Sequence, residues 1–261
     1  MIRPLTTRKT SSQQIFPQGV SSLIALLSGR MTKRSEISTT NCVGTRLLII
    51  AFVLFISSSA FAQQNKYTTL YYQRASLFEE LPIKKSDIVF LGNSITHFCE
   101  WSELLNNKHI KNRGISGDIV EGVYDRLDPI LTGKPRKIFL MIGINDVSHD
   151  VAADSIVRAT RIIADRIAQE SPKTKLYIQS VLPVNDQFGL FLGATTKGDI
   201  VIAINSGLKE MCRELRLTYI DIYSALKLPD SEKLNPVYTN DGLHLLGNAY
   251  LVWRDILQEY F

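Results

Sequence analysis

Short apolar runs alternate with amphipathic stretches over residues 67–261 of the chain. An unbroken apolar run indicates a strand that is buried on both faces, which is typical of parallel sheets. Strands and helical stretches alternate about five times, which predicts a three-layer α/β/α sandwich with right-handed crossovers. The predicted strands are Ile88–Leu91, Ile110–Ile115, Ile138–Ile142, Leu176–Ile178 with Val181–Leu182, and Tyr219–Ile222.

The helical stretches carry apolar residues at intervals of three and four. Residues 67–81 predict an amphipathic helix that Pro82 ends. Further helices are predicted around Ile156–Ile167, Ile202–Leu215 and Tyr250–Phe261. The longest predicted loop is Val184–Gly198. Because no repeat or low-complexity linker interrupts the alternation, residues 63–261 are expected to form one domain.

Residues 1–62 have the features of a targeting segment. Basic residues precede the apolar run Leu47–Ile56, and the small-residue site Ala60-Phe61-Ala62 follows it. These features predict a secretory signal peptide cleaved after Ala62, which would place the domain in the periplasm or outside the cell. An uncleaved membrane anchor is the alternative, but the run is shorter than the ~20 residues that a span needs. Met31 opens a conventional signal peptide and is the expected start of translation.

The net charge of +5 comes from this targeting segment. Cleavage would remove seven of the 30 basic and one of the 25 acidic side chains, which leaves 23 and 24. The mature domain is therefore expected to be nearly neutral, without the Lys/Arg stripe that indicates nucleic-acid binding. It keeps Cys99 and Cys212. An export signal would permit a disulfide between them, but two cysteines in a domain of this size are as often free and buried.

Four polar segments fall where ligands gather in parallel sheets, at the carboxyl ends of the strands. Ser94 follows the first strand, Gly117 the second and Asn145 the third, while Asp241 and His244 precede the last helix. Any one of these residues alone is usually a helix cap or a turn residue. Four segments that reach one edge of a sheet indicate a shared active site.

A serine hydroxyl becomes a good nucleophile only when a base takes its proton. We interpret Ser94 as the nucleophile and His244 as the base, because Asp241 can accept a hydrogen bond from the other ring nitrogen. His149 lies near Asp146 and Asp150 in the sequence and is the second choice for the base. His97 shares the helix that Ser94 opens, and His109 has no acidic neighbour along the chain, so both are expected to be structural or surface residues.

The negative charge of a tetrahedral intermediate needs hydrogen-bond donors. The Ser94 N–H at a helix N-terminus, the Gly117 N–H and the Asn145 side-chain amide are the predicted donors. Asp118 and Asp146 could be mistaken for metal ligands, but the sequence has no His/Cys/Asp cluster at ligand spacing. We therefore expect no metal site.

These segments resemble the SGNH (GDSL-type) hydrolase superfamily, and the resemblance covers about Leu77 to Trp253. Its four blocks occur in order as Gly92-Asn93-Ser94-Ile95, Gly114-Ile115-Ser116-Gly117-Asp118, Gly143-Ile144-Asn145-Asp146 and Asp241-Gly242-Leu243-His244-Leu245. The resemblance implies a flavodoxin-like sheet, cofactor-free hydrolysis of carboxylic esters, and the same roles for Ser94, Asp241 and His244, with Gly117 and Asn145 as oxyanion donors. Asn93 departs from the aspartate of the family motif, and Thr96 replaces the last glycine of the Gly-x-Ser-x-Gly motif of α/β-hydrolases.

Within the superfamily, the chain is most similar to the platelet-activating-factor acetylhydrolase-like group, which includes secreted bacterial carbohydrate O-acetylesterases. The similarity lies in Arg74, Leu77-Phe78, Gly92-Asn93-Ser94-Ile95-Thr96 and Trp101. The resemblance therefore favours a secreted serine esterase that removes small acyl groups, with acetyl on carbohydrate as the leading substrate. The alternatives are an acyltransferase, a non-catalytic carbohydrate-binding member, and a lipase or lysophospholipase whose groove Gly189–Gly193 would line. The expected partner is a small-molecule or glycan ester, and the sequence leaves the oligomeric state open.

Overall fold

A computed structural model describes residues 66–261, and the predicted signal peptide, cleavage site and Met31 start lie outside the described residues. No helix within that range is long and apolar enough to cross a membrane. Five parallel strands form one sheet in the order β2-β1-β3-β4-β5, which confirms the flavodoxin-like fold. The strands are β1 Ile88–Gly92, β2 Ile110–Gly114, β3 Lys137–Met141, β4 Lys175–Gln179 and β5 Thr218–Ile220.

Strands β4 and β5 end two or more residues earlier than the apolar runs predict, because side chains take over their backbone hydrogen bonds. The side-chain amide of Asn205 both donates to and accepts from the backbone of Val181, at 2.8 Å in each case. The hydroxyl of Ser180 accepts from the N–H groups of Ile222 and Tyr223 at 2.9 and 2.8 Å. Val181–Leu182 and Ile222 are therefore buried but lie outside the sheet.

Eleven α-helices and three short 3₁₀ turns connect the strands of the described residues. The helices are α1 Thr69–Glu80, α2 Ser94–His97, α3 Trp101–Leu104, α4 Val120–Asp125, α5 Asp128–Gly133, α6 Ile144–Ser148, α7 Ala153–Glu170, α8 Leu192–Thr195, α9 Gly198–Leu215, α10 Tyr223–Leu226 and α11 Gly247–Leu257. The 3₁₀ turns are Asp186–Phe188, Pro236–Tyr238 and Gln258–Tyr260. The long predicted loop thus contains a 3₁₀ turn and α8, and the final predicted helix ends in a 3₁₀ turn.

The core has aromatic side chains on one face of the sheet. Phe90 stacks on Phe139 at 5.0 Å between ring centroids, and Phe139 stacks on Tyr177 at 4.6 Å. Trp101 of α3 covers Phe90 at 4.2 Å and meets Trp253 of α11 edge-on at 4.8 Å. Helices α7 and α9 pack against each other in the second helical layer. Burial of this apolar surface is the main stabilising contribution to such a sandwich.

Helix α1 is less buried than its amphipathic pattern predicts. Tyr71 and Phe78 are buried in a small cluster with Ile115, whereas Leu70 and Leu77 are exposed. The helix contacts the rest of the domain mainly through these two buried rings. The Tyr71 hydroxyl also donates to the Gly122 carbonyl at 2.9 Å.

Cys99 and Cys212 are both buried and unpaired. Burial raises the pKa of the Cys99 thiol to about 12 and that of Cys212 to about 11. Both groups therefore remain thiols at neutral pH and pack as small apolar side chains.

Candidate active site

Ser94, His244 and Asp241 form a continuous chain of hydrogen bonds at the carboxyl end of the sheet. Ser94 Oγ lies 3.0 Å from Nε2 of His244, and the other ring nitrogen, Nδ1, lies 2.7 Å from Oδ2 of Asp241. A carboxylate only accepts hydrogen bonds, so Nδ1 carries the ring proton and Nε2 is left to accept from the serine hydroxyl. The structure thus brings together the three residues that the sequence predicts as nucleophile, base and acid.

Helix α2 is short, and side chains from other elements fix it in place. The Asn93 side chain accepts from the Ile95 N–H at 3.1 Å and caps the helix directly before Ser94.

The Asn112 amide donates to the carbonyls of Thr96, His97 and Cys99 at 2.9–3.1 Å. The Tyr250 hydroxyl donates to the Ile95 carbonyl at 2.7 Å, and Trp101 Nε1 donates to the Thr96 carbonyl at 2.8 Å. Sequence reasoning missed these anchors, because nothing in the sequence shows which distant side chain satisfies a helix carbonyl.

A tight turn places His244 against Ser94. Asp241 Oδ1 accepts from the N–H groups of Leu243 and His244 at 2.8 and 2.7 Å, so the same carboxylate shapes the turn and contacts the imidazole. Gly242 has a φ of +83°, and its carbonyl accepts from the Asn185 N–H at 2.8 Å. A Cβ at Gly242 would lie 1.9 Å from the Asn185 carbonyl oxygen, so this position requires glycine.

The electrostatics of this turn keep Asp241 ionised. Burial tends to raise the pKa of Asp241, but the hydrogen bonds from Leu243, His244 N–H and the His244 ring together lower it. A negative carboxylate at this position stabilises an imidazolium on His244. That is the charge state a general base passes through when it takes a proton from serine.

Gly117 lies on the loop after β2 and Asn145 in the first turn of α6, and a hydrogen bond ties the two segments together. Asn145 Nδ2 donates to the Asp118 carbonyl at 2.8 Å and keeps a second N–H for another acceptor. Asp146 accepts from the Val120 N–H with both oxygens at 3.2 Å. Gly117 is exposed at a φ of +81°, and its N–H has no acceptor within the described part of the chain. The oxyanion role of these donors stays a prediction.

Asp118 and Asp146, which directly follow Gly117 and Asn145 in the sequence, have protein partners. Asp118 Oδ2 accepts from Arg126 Nε at 2.8 Å, and Arg126 also donates to the carbonyls of Arg113 and Gly92 at 2.9 and 3.1 Å. Burial raises the pKa of both Asp118 and Asp146 to about 6. Within residues 66–261, no three His, Cys, Asp or Glu side chains gather as a metal ion would require. Arg126 ties the ends of β1 and β2 to this loop, and no motif in the sequence marks it.

Each of the other three histidines has a different environment. His97 is half-buried with Nδ1 3.0 Å from Ser116 Oγ, and its pKa is lowered by burial and by the charge of Arg74. His109 lies at the opposite end of the sheet, where Nδ1 is 3.8 Å from Oδ1 of Asp87. His149 is exposed at the end of α6. His244 is the histidine that contacts Ser94.

Comparison with known proteins defines the family of this chain. Residues 90–250 match the model of the GDSL-like Lipase/Acylhydrolase family, so the chain belongs to that family. The family is one of lipases and acylhydrolases. The same residue range contains Ser94, Gly117, Asn145, Asp241 and His244.

Individual relatives agree with this assignment. The rat platelet-activating factor acetylhydrolase IB subunit alpha1 is 28% identical over 106 residues, which are 38% of this chain and 45% of that protein. The chain thus aligns with less than half the length of this curated relative. A solved structure from Streptococcus pneumonia, assigned as a platelet activating factor, is 25% identical with a TM-score of 0.65 and covers 81% of this chain and 98% of its own. The acetyl xylan esterase AlAXEase shares the fold at 18% identity and a TM-score of 0.54, covering 67% and 98%.

Proposed function

We propose that the protein is an exported serine esterase that removes small acyl groups, above all acetyl, from carbohydrate. The observation that carries the catalytic part is the hydrogen-bond chain from Ser94 Oγ through the His244 ring to Asp241, with distances of 3.0 and 2.7 Å. These lengths suit proton transfer from a hydroxyl to a general base.

Acylation begins when Ser94 Oγ attacks the ester carbonyl and His244 Nε2 takes the hydroxyl proton. Asp241 stabilises the imidazolium that forms. The N–H groups of Ser94 and Gly117 and the Asn145 amide stabilise the oxyanion of the tetrahedral intermediate. When the intermediate collapses, the bond from carbon to the alcohol oxygen breaks, and the imidazolium gives its proton to that oxygen.

Deacylation repeats these steps with water. His244 takes a proton from a water molecule, whose oxygen attacks the acyl carbon of the ester on Ser94. The second intermediate collapses by breaking the bond from carbon to Ser94 Oγ, and the imidazolium returns a proton to that oxygen. The products are a carboxylic acid, an alcohol and the free enzyme, so no cofactor is needed.

The choice of acetyl on carbohydrate is supported by the names of related proteins. The rat relative is an acetylhydrolase, and the fold neighbour AlAXEase is an acetyl xylan esterase. A lipid acylhydrolase is the second candidate, because Leu190, Phe191 and Leu192 expose a short apolar surface at the edge of the domain. Acetate release from acetylated xylooligosaccharides, compared with fatty-acid release from a lysophospholipid, separates these two substrates.

Export is part of the proposal and is supported by the sequence of residues 31–62 alone. N-terminal sequencing of the protein from its own cells is expected to find Gln63 as the first residue. A mature chain that retains the apolar run Leu47–Ile56 would contradict export by cleavage and favour the membrane anchor.

The catalytic assignment is tested by Ser94→Ala. This variant should lose roughly a thousandfold to a millionfold in kcat for p-nitrophenyl acetate, because no other hydroxyl contacts His244 Nε2 in the described structure. It should also lose covalent labelling by a fluorophosphonate. Ser102→Ala, on the exposed side of α3, is the matched control and should keep full activity and labelling.

Each rival function predicts a different result. A non-catalytic carbohydrate-binding protein would show neither hydrolysis nor labelling in the wild type. An acyltransferase would pass the acyl group to an added sugar in preference to water, which product analysis detects. Near-normal hydrolysis by Ser94→Ala would refute the proposed nucleophile.

A further inference from the structure

Two phenylalanine rings flank the imidazole of His244. The Phe98 ring centroid lies 5.3 Å from that of His244, and the Phe191 ring meets the imidazole edge-on at 5.1 Å. Both phenylalanines are largely exposed, at 56% and 52% of their surface. Large apolar side chains that stay in contact with water do not add to the core, so their place beside His244 indicates a binding role.

The backbone at Phe191 supports a binding role for this residue. Phe191 has a φ of +51°, a left-handed conformation that a bulky residue rarely adopts. Its carbonyl accepts from the N–H groups of Ala194 and Thr195 at 2.8 and 2.9 Å, which holds the strained conformation in place. The hydroxyl of Thr195 also donates to the Leu190 carbonyl at 2.9 Å. Backbone strain at a residue whose exposed ring lies next to a reacting group is typical of ligand-binding sites.

The chemistry of the proposed reaction says which part of the ester meets these rings. His244 Nε2 must donate a proton to the alcohol oxygen as the alcohol leaves, so that oxygen lies within hydrogen-bond distance of the imidazole. The oxyanion points instead toward the predicted donors Gly117 and Asn145, which follow β2 and β3. The remainder of the alcohol therefore extends from His244 past the two rings, and the acyl chain extends elsewhere.

We infer that Phe98 and Phe191 are specificity-determining residues that bind the alcohol portion of the ester, and that this alcohol presents an apolar face, such as the C–H face of a sugar ring. This inference rests on the proposed function and deepens it. Contact of such a face with two exposed rings removes apolar surface from water without requiring a charged group on the substrate.

The test compares two substrate series with Phe98→Ala and Phe191→Ala. One series keeps the acetyl group and varies the alcohol: methyl acetate, phenyl acetate and an O-acetylated methyl glycoside. The other keeps p-nitrophenol and varies the acyl group: acetate, butyrate and hexanoate. Each variant should lower kcat/KM for phenyl acetate and the acetylated glycoside roughly 10- to 100-fold, the loss expected for one buried ring contact. The value for methyl acetate should stay within about threefold, and the acyl preference should not change.

Controls separate this role from others. Ile162→Ala removes an equally exposed apolar side chain, 56% exposed on α7, and should change nothing. Phe98→Leu and Phe191→Leu keep the local backbone and much of the apolar bulk, and should retain part of the discrimination. Thermal unfolding of every variant checks that the fold is intact.

Three results would overturn the inference. An equal loss for all acetates, methyl acetate included, would mean that the rings only orient His244. A changed acyl preference would assign them to the acyl group, and unchanged kinetics would assign them to contacts outside the reaction. Failure of the proposed function looks different: the wild type would hydrolyse no ester, or Ser94→Ala would remain fully active.

Discussion

Asp241 contacts His244 in two ways, and replacing it by asparagine separates them. The asparagine oxygen can still accept from the Leu243 and His244 N–H groups, so the turn should keep its shape. Its NH₂ group would instead face His244 Nδ1, which would favour the ring with its proton on Nε2, unable to accept from Ser94. We expect Asp241→Asn to lower kcat for p-nitrophenyl acetate by roughly ten-thousandfold.

The matched control is Asp154→Asn, which removes a carboxylate from an exposed ion pair with Arg158 on α7. It should leave kcat unchanged. The circular dichroism spectrum and unfolding temperature of Asp241→Asn should stay close to those of the wild type. A loss of less than tenfold would remove Asp241 from the proton-transfer chain and leave it as a turn residue.

At the scale of elements, the turn Asp241–His244 depends on its contact with the segment after β4. Gly242 meets the Asn185 backbone so closely that a methyl group cannot enter, and its φ of +83° is unfavourable for other residues. Gly242→Ala should therefore push the turn outward and lengthen the distance from His244 Nε2 to Ser94 Oγ. A displacement of about 1 Å is expected to cost on the order of a hundredfold in kcat/KM.

Gly247→Ala is the control for this prediction. Gly247 is the first residue of α11, and an added Cβ there would meet no atom within 4 Å. Alanine should leave activity unchanged and stabilise the helix slightly. The free energy of unfolding, measured in urea, should fall by roughly 1–3 kcal/mol for Gly242→Ala alone. Wild-type kinetics for Gly242→Ala would show that the turn tolerates the shift.

At the scale of the whole molecule, hydrophobic periodicity predicted the five strands and the four longest helices because each carries an apolar pattern of its own. Strand ends were harder: Val181 and Ile222 are as apolar as their neighbours, and only the distant side chains of Asn205 and Ser180 decide that they leave the sheet. In helix α1 the apolar pattern predicts more burial than the structure has, because the burial of Leu77 depends on which part of the domain lies next to it.

In the active site, too, the sequence predicts some residues, and remote parts of the chain supply the others. Ser94, Asp241 and His244 could be chosen from the sequence because their chemistry restricts them to a few residue types near strand ends. The residues that hold them, such as Asn112, Arg126 and Tyr250, have no such restriction and come from remote parts of the chain. Phe98 carried no signal, because an apolar residue in a sequence is normally expected in the core. Phe191 was indicated only as part of Gly189–Gly193, the lining of a lipase groove.

Two buried carboxylates, Asp118 on the loop after β2 and Asp146 in α6, make the stability of the whole molecule depend on pH. Burial raises the pKa of Asp146 from 3.8 to about 6, and the nearby charge of Asp118 acts in the same direction. Between these two values the folded protein binds more protons at Asp146 than the unfolded chain does. The contribution of this group to the free energy of unfolding is therefore fully present below about pH 4 and is lost as the pH rises through about 6.

Asp146→Asn removes this titration while its amide oxygen can still accept from the Val120 N–H. We expect the unfolding free energy of the variant, relative to wild type, to increase between about pH 4 and about pH 7 by on the order of 2–3 kcal/mol, measured by urea titration at each pH. Asp150→Asn is the control of opposite sign. Lys197 lowers the pKa of exposed Asp150 below its ordinary 3.8, so the relative stability of this variant should fall as the pH rises to about 4 and stay level from there to about pH 7. If the relative stabilities of the two variants change with pH in the same way, Asp146 behaves as a solvated carboxylate, with no penalty from burial.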